Sequence, residues 1–321
     1  MLAITGTDQL TPTEVPDPVP APDEILIEVV AAGVNRADVM QRAGFYPPPP
    51  GASEILGLEV SGRIEALGSE VAGWSVGDPV CALLSGGGYA EKVAVPATQV
   101  LPVPDGVTVH DAAALPEVAC TVMSNVFLTA NLAPGELLLI HGGSSGIGTH
   151  AIQVAAAAGA RVAVTARTPE KLARCAELGA DVLIDYRTED FIAALQPHGG
   201  ANVILDVVGA KYLSRNVDAL APDGRMTVIG LLGGRKAELD LGKVLAKRLS
   251  VFGTTLRSRP ATGPGSKAEV VLATLEGTWP LIADGRVQPV IDSVYPLAEA
   301  GAALDRMTSG DAIGKILLTV G

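Results

Sequence analysis

The sequence is poor in aromatic residues and cysteine and, over its first third, in basic residues. Phe, Trp and Tyr make up 3% of the 321 residues, and three cysteines occur, without a CxxC pair. This cysteine content excludes a disulfide scaffold and a cysteine-rich zinc lobe, and it fits a reducing compartment. The chain does not begin with a basic segment and an apolar run, so we expect no signal peptide and a cytoplasmic location.

The scarcity of basic residues produces an unevenly distributed negative charge. The formal net charge is −12, and residues 1–118, with 16 acidic and 4 basic side chains, account for all of it. At a sequence pI of about 4.8, binding of nucleic acid or of an anionic membrane through bulk charge is not expected. Residues 137–160 are uncharged and long enough to span a bilayer, but a polar, glycine-rich run interrupts them, which favours a strand, a loop and a helix.

The first third of the chain predicts an antiparallel, β-rich domain. Short β-branched runs, such as 24–34, 59–68 and 78–84, alternate apolar and polar residues between Gly and Pro. This alternation is typical of half-buried strands in a sheet or barrel. The prolines at 47–50 cannot join a central strand, so we expect an ordered loop, a lid or a rigid connector there.

From about residue 120, apolar strands alternate with helix-length segments, which indicates βαβ units and a parallel sheet. The predicted strands are 137–141, 161–166, 181–185, 202–209, 226–232 and 249–255, and the predicted helices between them include 146–158, 169–178 and 188–196. Six parallel strands of this kind form the doubly wound, dinucleotide-binding sheet. A helix at 268–284 and a last strand follow, and we expect this strand to return to the first domain because the sheet is already complete.

The run IHGGSSGIGTHAIQ, at 140–153, is the strongest functional signal. It follows an apolar strand and opens a helix, with Gly143 and Gly148 at the first and third positions of a GxGxxG pattern and Ser145 at the second. Such a loop brings backbone amides close to a pyrophosphate; the alternative is a glycine-rich turn without a ligand. The predicted cofactor contacts in this loop are Gly143, Ser144, Ser145, Gly146, Ile147 and Gly148.

Two other phosphate-binding loops do not fit this run. A Walker loop requires Lys and then Ser or Thr where Thr149 and His150 stand, which excludes an NTPase. The run also resembles the TGxxxGxG loop of short-chain dehydrogenases. That family needs a Tyr-x-x-x-Lys pair, and none of the five tyrosines has a lysine four residues on.

The end of the second predicted strand of this sheet favours NADP(H) over NAD(H). NAD-binding proteins place an acidic residue there for the ribose 2′-hydroxyl, whereas a 2′-phosphate needs cations. Arg167 and Lys171 follow the strand with no carboxylate before Glu170, and Tyr186, after the next strand, can supply a hydroxyl. Residues 161–259 also carry 15 basic and 11 acidic side chains. NADPH is therefore the predicted cofactor, with a merely solvated Arg167 and Lys171 as the alternative.

Several motifs, in the expected order, carry a family resemblance. Segments 34–68, 77–97, 140–153 and 204–209 together resemble the zinc-independent quinone oxidoreductase branch of the medium-chain dehydrogenase/reductase superfamily, particularly its ζ-crystallin-like, p53-inducible quinone reductases. The resemblance implies an α/β chain. A GroES-like substrate domain, residues 1–119 and 260–321, would surround a Rossmann domain, residues 120–259. It also implies a homodimer or homotetramer joined along Rossmann sheet edges, near residues 245–257.

Both this kinship and the ligand chemistry argue against a metal. Zinc-dependent relatives have Cys where this chain has Asn35, and Gly-His-Glu where it has Gly57, Leu58 and Glu59. None of the four histidines lies in this region. Because a catalytic zinc needs about three protein ligands, no metal is predicted, and Glu59 is expected to be a structural hydrogen-bonding group.

The resemblance places Asn35 and Tyr46 beside the nicotinamide as the catalytic candidates. Without a Lewis acid the acceptor must itself be electrophilic, as an uncharged quinone or conjugated enone is, so catalysis is mostly positioning. Tyr46 would then hydrogen-bond the acceptor oxygen, or only stack against substrate or cofactor. The remaining residues expected near the cofactor are Thr121, Asp206, Gly209, Gly230, Leu231, Phe252, Gly253 and Thr254.

The implied activity is NADPH-dependent reduction of a quinone. An NADPH-dependent enoyl or enone reductase on the same scaffold is one alternative. A protein that binds NADPH without turnover, as lens crystallins of this family suggest, is the other.

Overall fold

The structure, a computed structural model, describes residues 1–7 and 9–320, and the chain divides into two units. The first unit comprises Met1–Cys120, Leu256–Gly285 and Pro289–Gly321, and the second comprises Thr121–Thr255 and Arg286–Gln288. The main divisions lie close to the expected ones at 119/120 and 259/260. The short return at 286–288 has no signal in the sequence pattern.

The strands and helices are numbered along the chain. The strands are β1 (Leu2–Thr5), β2 (Thr11–Glu14), β3 (Glu24–Val34), β4 (Glu59–Leu67), β5 (Pro79–Leu83), β6 (Lys92–Pro96), β7 (Val100–Pro102), β8 (Leu137–His141), β9 (Arg161–Ala166), β10 (Val182–Asp185), β11 (Ala201–Asp206), β12 (Leu220–Val228), β13 (Ser250–Gly253), β14 (Ile291–Pro296) and β15 (Lys315–Thr319). The α-helices are α1 (Arg36–Arg42), α2 (Pro116–Val122), α3 (Gly146–Ala157), α4 (Pro169–Glu177), α5 (Phe191–Leu195), α6 (Leu213–Ala219), α7 (Leu241–Lys247), α8 (Lys267–Gly277), α9 (Trp279–Ala283) and α10 (Ala300–Ser309).

The first unit is built on a mostly antiparallel seven-stranded sheet, as the alternating pattern predicts. Its order is β14-β15-β3-β4-β5-β7, and β6 pairs with β3. Alternate residues of β3, such as Ile25, Ile27 and Val29, enter a core that also contains Ala303 and Leu304 of α10. The last strand, β15, pairs antiparallel with β3, so the predicted return of the chain to this domain is confirmed.

The second unit contains the predicted doubly wound sheet. All six strands are parallel, in the order β10-β9-β8-β11-β12-β13. Successive residues of β8 enter different cores, Leu138 and Ile140 in one and Leu137 and Leu139 in the other, so both faces of the sheet are covered. The strand order changes direction between β8 and β11, and ligands bind doubly wound sheets at such a point.

Several predicted elements differ in the structure, among them the helix predicted at 188–196, which is Phe191–Leu195, and the strand predicted at 249–255, which is Ser250–Gly253. Strand β12 starts earlier than predicted, and its predicted part at 229–232 is wrong. The chain leaves the strand there and passes close to the preceding loop at Gly230, where a Cβ would lie 2.7 Å from the Val207 carbonyl oxygen. Strand β11 ends at Asp206 instead of 209. The helix predicted at 268–284 is two helices, because Pro280 lacks an amide hydrogen and stands in the first turn of α9.

One helical stretch, Asp111–Thr129, is long and apolar enough by composition to cross a membrane. Of its most apolar window, 78% is buried inside the protein, as in a core helix. The uncharged stretch 137–160, in contrast, is divided into β8, a loop and α3, as predicted.

Candidate functional site

The predicted cofactor residues of the second unit follow the carboxyl ends of its strands. Because the strands are parallel, these ends share one edge of the sheet, which is where such sheets bind ligands. This edge carries Gly143, Ser144, Ser145, Gly146, Ile147 and Gly148 after β8, Arg167 and Lys171 after β9, Tyr186 after β10, Gly230 and Leu231 after β12, and Phe252, Gly253 and Thr254 in and after β13.

The loop between β8 and α3 is a tight turn that requires glycine. Gly142 has φ +78°, a conformation that favours glycine. A Cβ on Gly143 would lie 2.6 Å from the Cβ of Val164, so the loop can pack against β9 only without a side chain there. A Cβ on Gly148 would collide with the carbonyl oxygen of Gly142. The spacing of the glycines thus follows from close packing of strand, loop and helix.

Ser145, at the second position of the glycine pattern, caps α3. Its Oγ accepts a hydrogen bond from the Gly148 amide at 3.0 Å and donates one to the Gly142 carbonyl at 2.8 Å. The side chain therefore bonds its own loop. An α-helix leaves its first N–H groups without acceptors inside the helix, and the amides of Gly146 and Ile147 belong to this first turn. Their dipoles suit a pyrophosphate, so the residues present fit a dinucleotide here.

The end of β9 carries two cations and no carboxylate before Glu170. Thr168 caps α4, with its Oγ1 accepting from the Lys171 amide at 3.3 Å, and this fixes the start of the helix. Arg167 is half-buried and Lys171 is 7% exposed. Tyr186, after β10, is 43% exposed.

Asn125 links two of the predicted residues and was missed by sequence reasoning. Its Nδ2 donates to the Thr121 carbonyl at 2.8 Å, and its Oδ1 accepts from the Thr254 hydroxyl at 2.6 Å. Asn125 lies in the π-helical segment Met123–Thr129, and such segments are frequent at functional sites. A buried amide within the apolar run MSNVF is the signal that could have identified it.

Asp206 shapes the turn that follows β11. Its two carboxylate oxygens accept from the amides of Val208, at 2.7 Å, and Gly209, at 3.0 Å, and burial raises the pKa of the carboxyl. A Cβ on Gly230 would lie 2.7 Å from the Val207 carbonyl oxygen. The loops after β11 and β12 therefore pack directly on each other.

In the first unit, Asn35 lies in a buried hydrogen-bond network. Its Nδ2 donates to Glu59 Oε1 at 2.8 Å, and its Oδ1 accepts from Lys315 Nζ at 2.7 Å. Lys315 Nζ also donates to Glu59 Oε1 at 2.6 Å and to the Val34 carbonyl at 2.8 Å. Glu59 is thus a structural hydrogen-bonding group, as expected. The amide of Asn35 is engaged at both ends inside this unit, and its catalytic role stays a prediction.

Asp38 supports the same network from the other side. Its carboxylate accepts hydrogen bonds from the backbone N–H of Asn35 at 2.7 Å, the Tyr89 hydroxyl at 3.0 Å and the backbone N–H of Gly57 at 3.1 Å. Burial raises the pKa of Asp38 to about 6, although these three bonds act in the opposite direction. The Asp38 carboxylate therefore fixes the backbone at Asn35 and at Gly57, the two segments that carry Asn35 and lead into Glu59.

The residues around Glu59 do not fit a zinc ion. The cation beside Glu59 is the ammonium group of Lys315, and the neighbouring side chains are the amide of Asn35 and the buried Leu58. Over residues 1–7 and 9–320, no group of three or more His, Cys, Asp or Glu side chains is arranged to hold a metal. No catalytic step is assigned to a metal.

Tyr46 is half-buried in the first unit, beside Arg257. Arg257 donates to the carbonyl oxygens of Tyr46, at 3.2 Å, and Ser85, at 2.8 Å, and to Gln41 Oε1 at 2.8 Å. Its guanidinium carbon lies 5.4 Å from the centroid of the Tyr46 ring. Burial, and then the charge of Glu117, raise the pKa of the Tyr46 hydroxyl.

Three buried cations of the first unit, Arg257, Lys267 and Lys315, were missed by sequence reasoning. Arg257 and Lys267 flank a Gly- and Pro-rich loop, a composition that predicts exposure. Lys315 begins the strand KILLT, and a lysine facing the core of such a strand is rare without a partner. That lone lysine was the available signal.

Two family models match the chain. Residues 21–105 match the "Alcohol dehydrogenase GroES-like domain", and residues 146–270 match the "Zinc-binding dehydrogenase" model. The predicted fold, a GroES-like domain with a Rossmann domain, is confirmed.

Curated relatives differ in how much of their length the chain covers. The chain is 30% identical to the synaptic vesicle membrane protein VAT-1 homolog of Danio rerio, over 92% of this chain and 64% of that protein. It is 31% identical to a phenolphthiocerol/phthiocerol polyketide synthase component of Mycobacterium tuberculosis, over 98% of this chain but 14% of that protein. Against the quinone oxidoreductase of Mus musculus it is 30% identical, over 94% of this chain and 90% of that protein.

Solved structures resemble the whole chain. A quinone oxidoreductase of Escherichia coli complexed with NADPH superposes with a TM-score of 0.88 at 28% identity, covering 99% of this chain and 100% of that one. The CurK enoyl reductase superposes with a TM-score of 0.86 at 27% identity, covering 100% of this chain and 98% of that one. Neighbours with two different acceptors thus share this architecture.

Proposed function

Because the chain belongs to the zinc-independent quinone oxidoreductase branch of the medium-chain dehydrogenase/reductase superfamily, we propose that it is an NADPH-dependent quinone oxidoreductase that works without a metal. The observation that carries the proposal is the carboxyl edge of the six-stranded sheet. It combines the β8–α3 loop with Arg167 and Lys171 after β9, where no carboxylate precedes Glu170.

Each part of this edge has one task in cofactor binding. The first-turn amides of α3 hold the pyrophosphate, and Arg167 and Lys171 hold the 2′-phosphate. Thr254 follows β13 on the same edge, and its hydroxyl donates a hydrogen bond to Asn125. NADPH, when bound, supplies the hydride. The chain's own contribution is to hold the dinucleotide in one orientation.

A quinone suits a site without a Lewis acid. Its carbonyl groups are already electrophilic, and the product oxygen can take its proton from water. The ammonium group of Lys315 donates hydrogen bonds to Glu59, Asn35 and the Val34 carbonyl. Because its three donors are all used inside the protein, we assign it a structural role. Tyr46 is the candidate hydrogen-bond donor to the acceptor oxygen.

A second candidate is an NADPH-dependent enoyl or enone reductase. It is favoured by the CurK enoyl reductase, which matches 98% of its own length to this chain. The two functions need the same cofactor edge and differ in the pocket that receives the acceptor.

We expect the chain to oxidise NADPH faster with 1,4-benzoquinone or 9,10-phenanthrenequinone than with a crotonyl thioester. The test follows NADPH absorbance anaerobically, so that oxygen cannot re-oxidise the quinol, with acceptor-free and enzyme-free reactions as controls. Faster turnover of the thioester would favour the enoyl reductase. Tight NADPH binding without turnover of any acceptor would instead indicate a non-catalytic, NADPH-binding protein.

We also propose a homodimer joined along β13. This strand is an edge of the six-stranded sheet, and Val251 in it is 39% exposed, with Leu245 of α7 77% exposed. An exposed apolar edge strand is a template for pairing with a second copy.

Val251→Lys is expected to shift the chain from dimer to monomer, because it places a charge on the pairing edge. Light scattering coupled to size-exclusion chromatography measures the mass. Val294→Lys is the matched control, since Val294 is 48% exposed on β14, the edge strand of the other sheet, and should leave the mass unchanged. A dimer that persists in Val251→Lys would contradict the proposed edge.

A further inference from the structure

Two buried cations of the first unit lie together beside Tyr46. Arg257 and Lys267 are each 4% exposed. Arg257 donates to the carbonyl oxygen of Ser85 at 2.8 Å, and Lys267 donates to the hydroxyl of the same residue at 2.6 Å. Two buried like charges therefore bind the same serine. Their proximity destabilises the fold unless an anionic group faces them.

Neither cation has a carboxylate partner in the part of the chain that the structure describes. The acceptors of Arg257 are two carbonyls and the amide oxygen of Gln41, all neutral. Within residues 1–7 and 9–320, the Lys267 ammonium makes one hydrogen bond, to Ser85. An ammonium group has three donors, so two remain for another group. A buried polar group in this state calls for a ligand or water.

Glu117 is a carboxylate whose charge acts on both Arg257 and Lys267. Within residues 1–7 and 9–320, neither cation donates a hydrogen bond to it. Burial, and then the charge of Glu59, raise the pKa of Glu117 to about 8. Burial also lowers the pKa of Lys267 and of Arg257, and the negative charge of Glu117 acts in the opposite direction on both. An anionic ligand at this place would likewise favour the charged forms of the two cations.

Three residues that act on the two cations are partly exposed: Tyr46, Ser85 and Glu117. The composition of the site, two cations with a tyrosine ring and one spare pair of N–H donors, suits an aromatic or conjugated oxygen that carries negative charge.

We propose that Lys267 and Arg257 form the oxyanion site of the acceptor, with the Lys267 ammonium donating to the acceptor oxygen and Arg257 holding Tyr46 and Ser85 around it. This rests on the proposed function, which it deepens by naming the groups that stabilise the reduced acceptor. Hydride transfer breaks a C–H bond of the cofactor, forms a bond to hydrogen on the acceptor and leaves an electron pair on the acceptor oxygen. Lys267 stabilises that charge until the oxygen takes a proton from water.

The test uses 4-nitrophenol as the probe, since its phenolate form has its own visible absorbance and its oxygen mimics that of a quinol anion. An oxyanion site binds the phenolate in preference to the phenol, so bound probe should ionise at lower pH than free probe. Lys267→Met keeps the length of the side chain and removes the charge. We expect it to weaken phenolate binding about 10- to 100-fold and to abolish the shift of the ionisation. Lys267→Arg should restore part of both.

Lys236→Met is the control, because Lys236 is an exposed lysine of the second unit. It should bind the phenolate as the wild type does. With a quinone acceptor, Lys267→Met should lower kcat/KM by a similar factor and leave NADPH affinity unchanged. The proposal is overturned if the wild type does not lower the ionisation pH of the probe, or if Lys267→Met lowers it as much. Phenolate binding without quinone turnover would instead leave the oxyanion site in place and reject the proposed reaction.

Discussion

Replacing Lys315 with Met is expected to lower the free energy of unfolding of the first unit by about 3–5 kcal/mol. Lys315 is 3% exposed, and its ammonium group donates to Glu59, Asn35 and the Val34 carbonyl. Methionine fills nearly the same space but leaves the charge of Glu59 buried without a cation. The size of the effect therefore comes from an uncompensated carboxylate more than from lost packing.

The double variant Lys315→Met with Glu59→Gln separates these two causes. A neutral amide at position 59 removes the uncompensated charge, while its oxygen still accepts from Asn35 Nδ2. We expect the double variant to recover most of the stability lost by Lys315→Met. The attraction within a buried ion pair roughly offsets the cost of removing both charges from water, so losing both charges changes stability much less than losing one. If the loss came from packing, the double variant would be no more stable than the single one.

Tryptophan fluorescence during urea unfolding measures this effect selectively. The chain has two tryptophans, Trp74 and Trp279, and both belong to the first unit. Lys92→Met is the matched control: Lys92 also binds two carboxylates, Asp17 at 2.9 Å and Glu65 at 2.8 Å, but on the surface. Surface ion pairs contribute little to stability because solvent screens them, so this variant should unfold close to the wild type. A loss in Lys92→Met as large as that in Lys315→Met would contradict the role of burial.

The cofactor edge could be predicted from sequence because its determinants are local. A strand, a glycine turn and a helix follow one another at 137–157, and the glycines are required by contacts among neighbouring segments, such as Gly143 with Val164. The parallel topology then brings the ends of all six strands to one edge. The same reasoning placed Arg167, Tyr186 and Gly253 on that edge without knowledge of any contact.

The network at Asn35 could not be predicted, because its members meet only through long-range strand pairing. Ile316 of β15 lies opposite Val34 of β3, and this register brings Lys315 to Asn35. No local pattern encodes which strand β15 joins, or in which register. The same holds for Arg257 and Lys267, because Ser85, which binds both, lies 172 and 182 residues away from them in the sequence. Sequence reasoning identified Asn35 and Tyr46 by resemblance and missed the cations that hold them.

The largest effect on binding is expected from Arg167→Ala combined with Lys171→Ala, which should weaken NADPH binding about 100-fold or more and leave NADH binding nearly unchanged. A hydrogen bond to a charged group contributes about 1.5–3 kcal/mol, so removing two cations that hold the 2′-phosphate should weaken NADPH binding strongly. NADH has no 2′-phosphate, so its binding should change little. Lys171 is 7% exposed, so Lys171→Met should replace Ala if the double variant loses stability. Isothermal titration calorimetry with both cofactors measures the ratio of affinities.

Arg174→Ala provides the control for this double variant, because Arg174 lies on the same helix as Lys171, α4, and pairs with Glu177 at 2.7 Å. It should keep the preference for NADPH, since Arg174 lies in the last turn of α4, away from the end of β9. The decisive quantity is the ratio of the two affinities, because damage to the β8–α3 loop would weaken both cofactors equally: the pyrophosphate is common to them. A wild type that prefers NADH, or a double variant that keeps its preference for NADPH, would show that Arg167 and Lys171 do not hold the 2′-phosphate.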